Sequence, residues 1–343
     1  MAGPDTARQL RARLRQAGLS NGAITAAWPR WWSDAADTSL SARVDLSFSV
    51  ARHLGLDPRS LFEDSGAPRF TWRQEARFKH LSTEDDVERA GITSFGRAVS
   101  AVLLEATPLP QEPLAATAKD LRGLLLEGAA PFVRMVDLLA LCWSAGLPVA
   151  HLRVFPWPQK RLAAMTVRVD SRLAILLGKE SLYPAPIAFY LAHELGHIML
   201  AHLADDVALV DLEESQIGGG QRDADEVAAD GFALELLTGE PEPVVLPAGP
   251  ASSSRELARV ALGSAMSLAI EPGTLAMCFG WSTGKWKTAN AAMPRIYASA
   301  KPVWQEVNGI ARQQLRLAHL TDDARDYLDA ILGTTEGEVR TGQ

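Results

Sequence analysis

The chain has 343 residues, enough for about two domains at roughly 150 residues each, and its 47% hydrophobic, 22% charged and 7% aromatic composition excludes disorder through most of its length. No apolar run reaches the ~18 residues of a membrane helix, and the N-terminus lacks a signal-peptide core, so the expected setting is cytoplasmic, away from membranes. The net charge of −7 argues against a general nucleic-acid binder, although residues 1–80 hold twelve Lys and Arg against eight Asp and Glu, a local balance compatible with phosphate contacts or an ordinary solvated surface.

Residues 5–17 predict a first helix with Leu10 and Leu14 on one face, stopped at Gly18. A second is expected from Asn21 to near Pro29, a third after Ser39 with Leu46, Val50 and Leu54 apolar, then a short one ending at Phe62. Together they make residues 1–80 a helical module. The charged stretch Ser82 to Arg89 reads as a linker, and residues 81–129 as a helical connector. Residues 93–145 read as helical throughout. From Leu147 the period changes to LPVAHLRVF, AAMTVRVD and RLAILLG, three short runs that predict a small three-stranded sheet. Pro184 to Leu203 then reads as an apolar helix, followed by an acidic, glycine-containing loop and a helix from Asp223 to about Leu237. Residues 252–332 read as helical and the tail 334–343 as disordered. The fold class is therefore α+β and mostly helical, with a core at 130–245 and a C-terminal helical domain at 246–333. Cys142 and Cys278 lie far apart in apolar segments, which disfavours a disulfide or a cysteine-based metal knuckle.

The chemistry concentrates in His193-Glu194-Leu195-Gly196-His197. Three of the seven histidines fall between positions 193 and 202. On a helix, positions i and i+4 share one face, so both imidazoles of this HExxH motif can bind one metal ion, and Glu194, rotated by about 100°, can serve as general base. A catalytic zinc needs a third protein ligand. Glu226 on the following helix is the preferred candidate because Asp230 lies one turn further on the same face, placed to orient a ligand histidine through its free ring N–H. Asp223, Asp225 and Glu235 compete from other faces. Gly231, beside Asp230, is read as a position where a side chain would obstruct helix packing. His202, five residues past His197, reads as a surface histidine pointing elsewhere.

FYLAHELGHIML, followed 29 residues after His197 by EVAADGFALELL, resembles the ImmA/IrrE family of metallopeptidases, a minimal zincin-like core preceded, as here, by three short strands. The resemblance covers roughly 130–245. It implies a sheet packed on the HExxH helix, a Zn2+ ion held by His193, His197 and Glu226, Glu194 as general base and Asp230 behind a ligand. It also implies a protein substrate, a DNA-binding repressor whose cleavage switches on a stress-response or mobile-element programme. Residues 40–62 resemble the last helices of an Xre/Cro-type helix-turn-helix. The stretch AAWPRWWSDAADTS, where the recognition helix should lie, departs from that pattern and has little base-reading chemistry, so DNA contact through residues 1–80 is not favoured.

Two further residues are candidates for polarising a substrate carbonyl: Tyr190, one turn before His193, and His151, between strand residues. A substrate segment is expected to add as an extended strand beside the sheet. The competing reading is a non-proteolytic, zinc-binding regulator or antitoxin-like protein acting by direct protein or DNA binding. Replacement of Glu194 by Gln separates the two.

Overall fold

The structure, a computed structural model, describes residues 5–63, 66–72, 76–78, 86–109, 116–128, 130–159, 162–203, 208–212, 224–246 and 253–333. The expected disordered tail at 334–343 lies outside these residues. So do the first residues of the expected linker, 82–85, while its remainder forms the first turn of a helix.

The N-terminal module comprises α1 (Ala7–Gln16), α2 (Asn21–Ala26) and α3 (Leu40–Leu54), with 3-10 turns at Asp34–Thr38 and Pro58–Phe62. Local sequence sets the ends. Thr6 and Gln9 form a capping box on α1, Ser20 caps α2 and Ser39 caps α3. α3 stops at Gly55, whose φ of 66° is left-handed and whose absent Cβ would sit 2.3 Å from the Ser94 carbonyl oxygen. Only glycine meets both demands.

Next come β1 (Ala76–Phe78), α4 (Asp86–Glu105), α5 (Ala118–Leu126) and α6 (Met135–Ser144). The start of α4 recruits part of the expected linker because Asp86 and Glu88 favour a helix N-terminus. The three expected strands are present as β2 (Val149–His151), β3 (Leu162–Val169) and β4 (Arg172–Leu177). They are followed by α7 (Pro184–Met199), β5 (Ala208–Leu212) and α8 (Ala224–Thr238). α9 (Ser254–Leu268), α10 (Pro272–Thr283), α11 (Trp286–Ile296), α12 (Val303–Gln314) and α13 (Asp322–Leu332) complete the chain. Among the described residues no single helix is long and apolar enough to cross a membrane.

The sheet is larger than the three strands expected. Its order is β1-β5-β3-β4-β2. β3 and β4 are antiparallel neighbours joined at Asp170, β2 runs parallel to β4, β5 runs antiparallel to β3, and β1 runs parallel to β5. β5 falls in the segment expected to be a loop. Five residues have little strand preference of their own, and it is the edge of β3 that supplies their partners.

β3 separates two cores by the period of two that governs a strand. Met165 and Val167 face α4, joining Phe95 and Val99 and, beyond them, Leu10, Leu14, Leu46 and Leu54 of the N-terminal module. Ala164 faces the other way, with Ile175 and Leu177 of β4, towards Ile187, Leu191 and Leu195 of α7 and Phe232 and Leu236 of α8. Each fully buried leucine contributes about 1.5–3 kcal/mol. The sheet is thus held between α4 and α7, and α7 is fixed along its apolar side.

The last helix returns to the first module. Tyr327 donates its hydroxyl to the His53 carbonyl at 2.7 Å and stacks on the His53 ring at 4.2 Å. Asp323 accepts from Ser49 at 2.7 Å and lies 3.6 Å from His53 Nε2. Burial holds the His53 pKa below its ordinary value, against the opposing pull of Asp323.

Candidate metal centre

α7 enters through Pro184 and Pro186, which are tolerated in a first helical turn. Its next turns carry the HExxH residues against the sheet. His193, Glu194 and His197 are buried, Glu194 and His197 completely. α8 crosses α7 where Gly196 removes a side chain. A Cβ there would meet the Ala229 carbonyl oxygen at 3.1 Å and Phe232 Cβ at 3.2 Å. The expectation that Gly231 serves this role is corrected: a Cβ at Gly231 would meet only Pro241, at 3.8 Å, an ordinary contact.

This close crossing brings Glu226 to the histidines. The two Nε2 atoms face each other at 3.0 Å. Glu226 Oε2 lies 3.5 Å from His193 Nε2, and Glu226 Oε1 lies 3.5 Å from His197 Nε2. Donor atoms of the three residues all fall within 4.8 Å of one another. Glu226, preferred as third ligand from the sequence, is thus the carboxylate grouped with the two histidines in a set that could hold a metal ion. Of its competitors, Asp223 lies outside the described residues and Asp225 has a different place.

The outer ring nitrogens decide which way the imidazoles are protonated. Asp230 Oδ1 lies 2.9 Å from His193 Nδ1, so that nitrogen donates and the lone pair is left on Nε2. His197 Nδ1 lies 2.8 Å from His202 Nδ1, and His202 Nε2 lies 3.7 Å from Asp225 Oδ1. With the His202 proton on Nε2 towards that carboxylate, His202 Nδ1 accepts from His197, which again leaves the lone pair on Nε2. Two lone pairs and a carboxylate then converge on one buried point. Such a donor set repels itself unless a cation is shared, and it fits the zinc ion that the resemblance implies.

The reading of His202 as a surface residue is corrected. The helix ends at Met199, before the Leu203 expected, so the helical wheel no longer governs position 202. Ala201 adopts a left-handed φ of 57°, its N–H bonds the Ile198 carbonyl at 3.1 Å, and the His202 N–H bonds the His197 carbonyl at 3.0 Å. This 6→1, 5→2 closure folds the chain back and sets His202 behind His197.

Glu194 is held from the sheet side. Thr166 of β3 donates its hydroxyl to Glu194 Oε2 at 2.5 Å. Among the described residues Glu194 Oε1 is buried without a hydrogen-bond partner, a cost of about 1–3 kcal/mol unless something at the site meets it. Thr166 is the residue that sequence reasoning missed, while His202 and Asp225 were considered there in other roles. The only trace of His202 was its place in the histidine cluster, and Thr166 left none.

The two carbonyl-polarising candidates differ. Tyr190 is half-buried on α7, packed against the core and edge-on to Phe189. His151 is buried on β2, with Nδ1 3.1 Å from the Leu152 carbonyl and Nε2 2.9 Å from the Lys179 carbonyl. Both ring nitrogens face main-chain carbonyls, whichever of them carries the proton, which places the imidazole at the strand end and not towards a substrate. Cys142 and Cys278 are free and buried, and burial raises both thiols, Cys278 to about 11, so neither offers a thiolate at neutral pH.

No family model, no curated protein and no solved structure matches this chain in comparisons with known proteins.

Proposed function

We propose that the chain is a zinc-dependent endopeptidase of the ImmA/IrrE kind, acting on a regulatory protein, a DNA-binding repressor, to release a stress-response or mobile-element programme. The observation that carries this reading is the convergence of His193 Nε2, His197 Nε2 and Glu226 beside a buried Glu194 with one oxygen engaged and the other open. His193, His197 and Glu226 would hold the zinc, which when bound supplies Lewis acidity and a water acidified towards neutrality.

The chain's own residues do the rest. Thr166 fixes Glu194 through Oε2, leaving Oε1 to take a proton from the attacking water and return it to the amide nitrogen as the peptide C–N bond breaks. Asp230, and His202 with Asp225, keep the ring lone pairs turned inward.

The test has two parts. The purified protein is expected to carry stoichiometric zinc by elemental analysis, and His193→Ala and Glu226→Ala to lose it. Glu194→Gln is expected to keep the zinc and to cleave a repressor substrate, sought first among the products of neighbouring genes, about 10²–10⁴-fold more slowly. A Glu194→Gln protein with full biological function would instead assign the chain to regulation by binding.

A further inference from the structure

Resting on the peptidase reading, the geometry points to an internal stand-in for the substrate. We infer that the outer edge of β3 is the docking strand for an extended peptide, and that β5 occupies this edge in cis and must leave before a substrate segment can pair there.

Glu194 touches one strand, β3, through Thr166. One flank of β3 is committed to β4 along Ala164–Val169, and α7 lies across both strands. The other flank is the strand edge next to the general base. A peptide pairing on it would run about 4.8 Å from the Thr166 backbone, its main-chain groups satisfied by the ladder and its alternate side chains turned towards the metal centre.

β5 holds that position. It pairs antiparallel with β3, Leu209 opposite Thr166 and Val210 opposite Met165. Cross-strand partners share a face, so Leu209 lies on the metal-centre side while Ala208 and Val210 join the core beneath α4. Leu209 is only 2% exposed. An apolar side chain thus fills the place beside Thr166 that a substrate residue would take.

The arrangement is suited to exchange. β5 is five residues long and lies in the connection between the two helices that carry the metal ligands. Its outer edge is covered by the three residues of β1, with Arg77 opposite Leu209.

The experiment uses the full chain in the Glu194→Gln background, so that binding is read without turnover. Val167 and Ala208 are register partners on the face away from the metal centre, and Val167→Cys with Ala208→Cys allows β5 to be locked by oxidation at a spacing a disulfide can span. The probe is a fluorescein-labelled peptide of residues 205–214, followed by anisotropy. The reduced protein is expected to bind it saturably, and oxidation to weaken binding by at least about tenfold, because the competent open form is removed. In the protein with unaltered β3 and β5, amides of Ala208–Leu212 are expected to exchange with deuterium at least about tenfold faster than those of β4. Equal affinity in both redox states, no binding to the reduced protein, or exchange in β5 as slow as in β4 overturns the inference and makes β5 a permanent strand. Zinc content separates the two readings: its absence defeats the peptidase, whereas equal peptide binding by zinc-loaded protein defeats only the displaceable strand.

Discussion

In the proposed zinc centre His202 acts through His197, by fixing its tautomer. A ligand imidazole must present a lone pair, and the surest way to keep it is to occupy the other nitrogen with an acceptor. Asp230 does this for His193 directly. For His197 the acceptor is a second imidazole, with the Asp225 carboxylate 3.7 Å from its far nitrogen. His202→Ala is therefore expected to weaken zinc binding about 10–100-fold, measured by competition with a chelator. Unfolding by urea should move far less, since His202 sits at a helix end and not in a core. His202→Gln, which keeps an acceptor near the same place, is expected to recover part of the affinity.

At the scale of elements, the crossing of α7 and α8 sets the distance between the histidines and Glu226. Two glycines near this crossing have opposite characters. Gly196 faces the backbone of α8 at 3.1–3.2 Å, so Gly196→Val is expected to destabilise by about 1–3 kcal/mol through overpacking and to weaken zinc binding by displacing Glu226 and Asp230 together. Gly231 faces open space apart from Pro241. Gly231→Ala is expected to raise stability by about 0.5–1 kcal/mol from helix propensity with zinc affinity unchanged. Urea titrations of the pair check both signs. Helical spacing was enough to align Glu226 with Asp230, but not to say which glycine faces the partner helix, because that depends on how the two helices cross.

For the molecule as a whole, the chain closes on itself. α13 packs on α3, and the contact contains a buried His53 stacked on Tyr327 and close to Asp323. Burial lowers the His53 pKa in the folded state, so between the folded value and the ordinary one near 6.5 the unfolded chain binds more protons. Stability then rises with pH in that window: this contribution is present above about pH 6.5 and is lost as acid protonates His53. Urea midpoints taken from pH 5 to pH 8 are expected to climb with pH, and His53→Gln to flatten the climb. A profile that falls as pH rises would reverse the sign of this assignment.

The features legible before folding are those that depend on neighbours along the chain. The helix caps at Thr6, Ser20 and Ser39 are local hydrogen bonds, the three strands β2 to β4 are runs of apolar and β-branched residues, and the spacing of His193, Glu194 and His197 follows from one helical turn. Glu226 with Asp230 was legible for the same reason. The remaining features depend on groups distant in sequence meeting in space. β5 exists because β3 offers an edge, Thr166 reaches Glu194 because α7 lies on that strand, and His202 returns to His197 because the chain leaves the helix at Ala201 with a left-handed turn. A helix or a strand is written in periodicity, but the position of one element against another is settled by packing that no local pattern encodes.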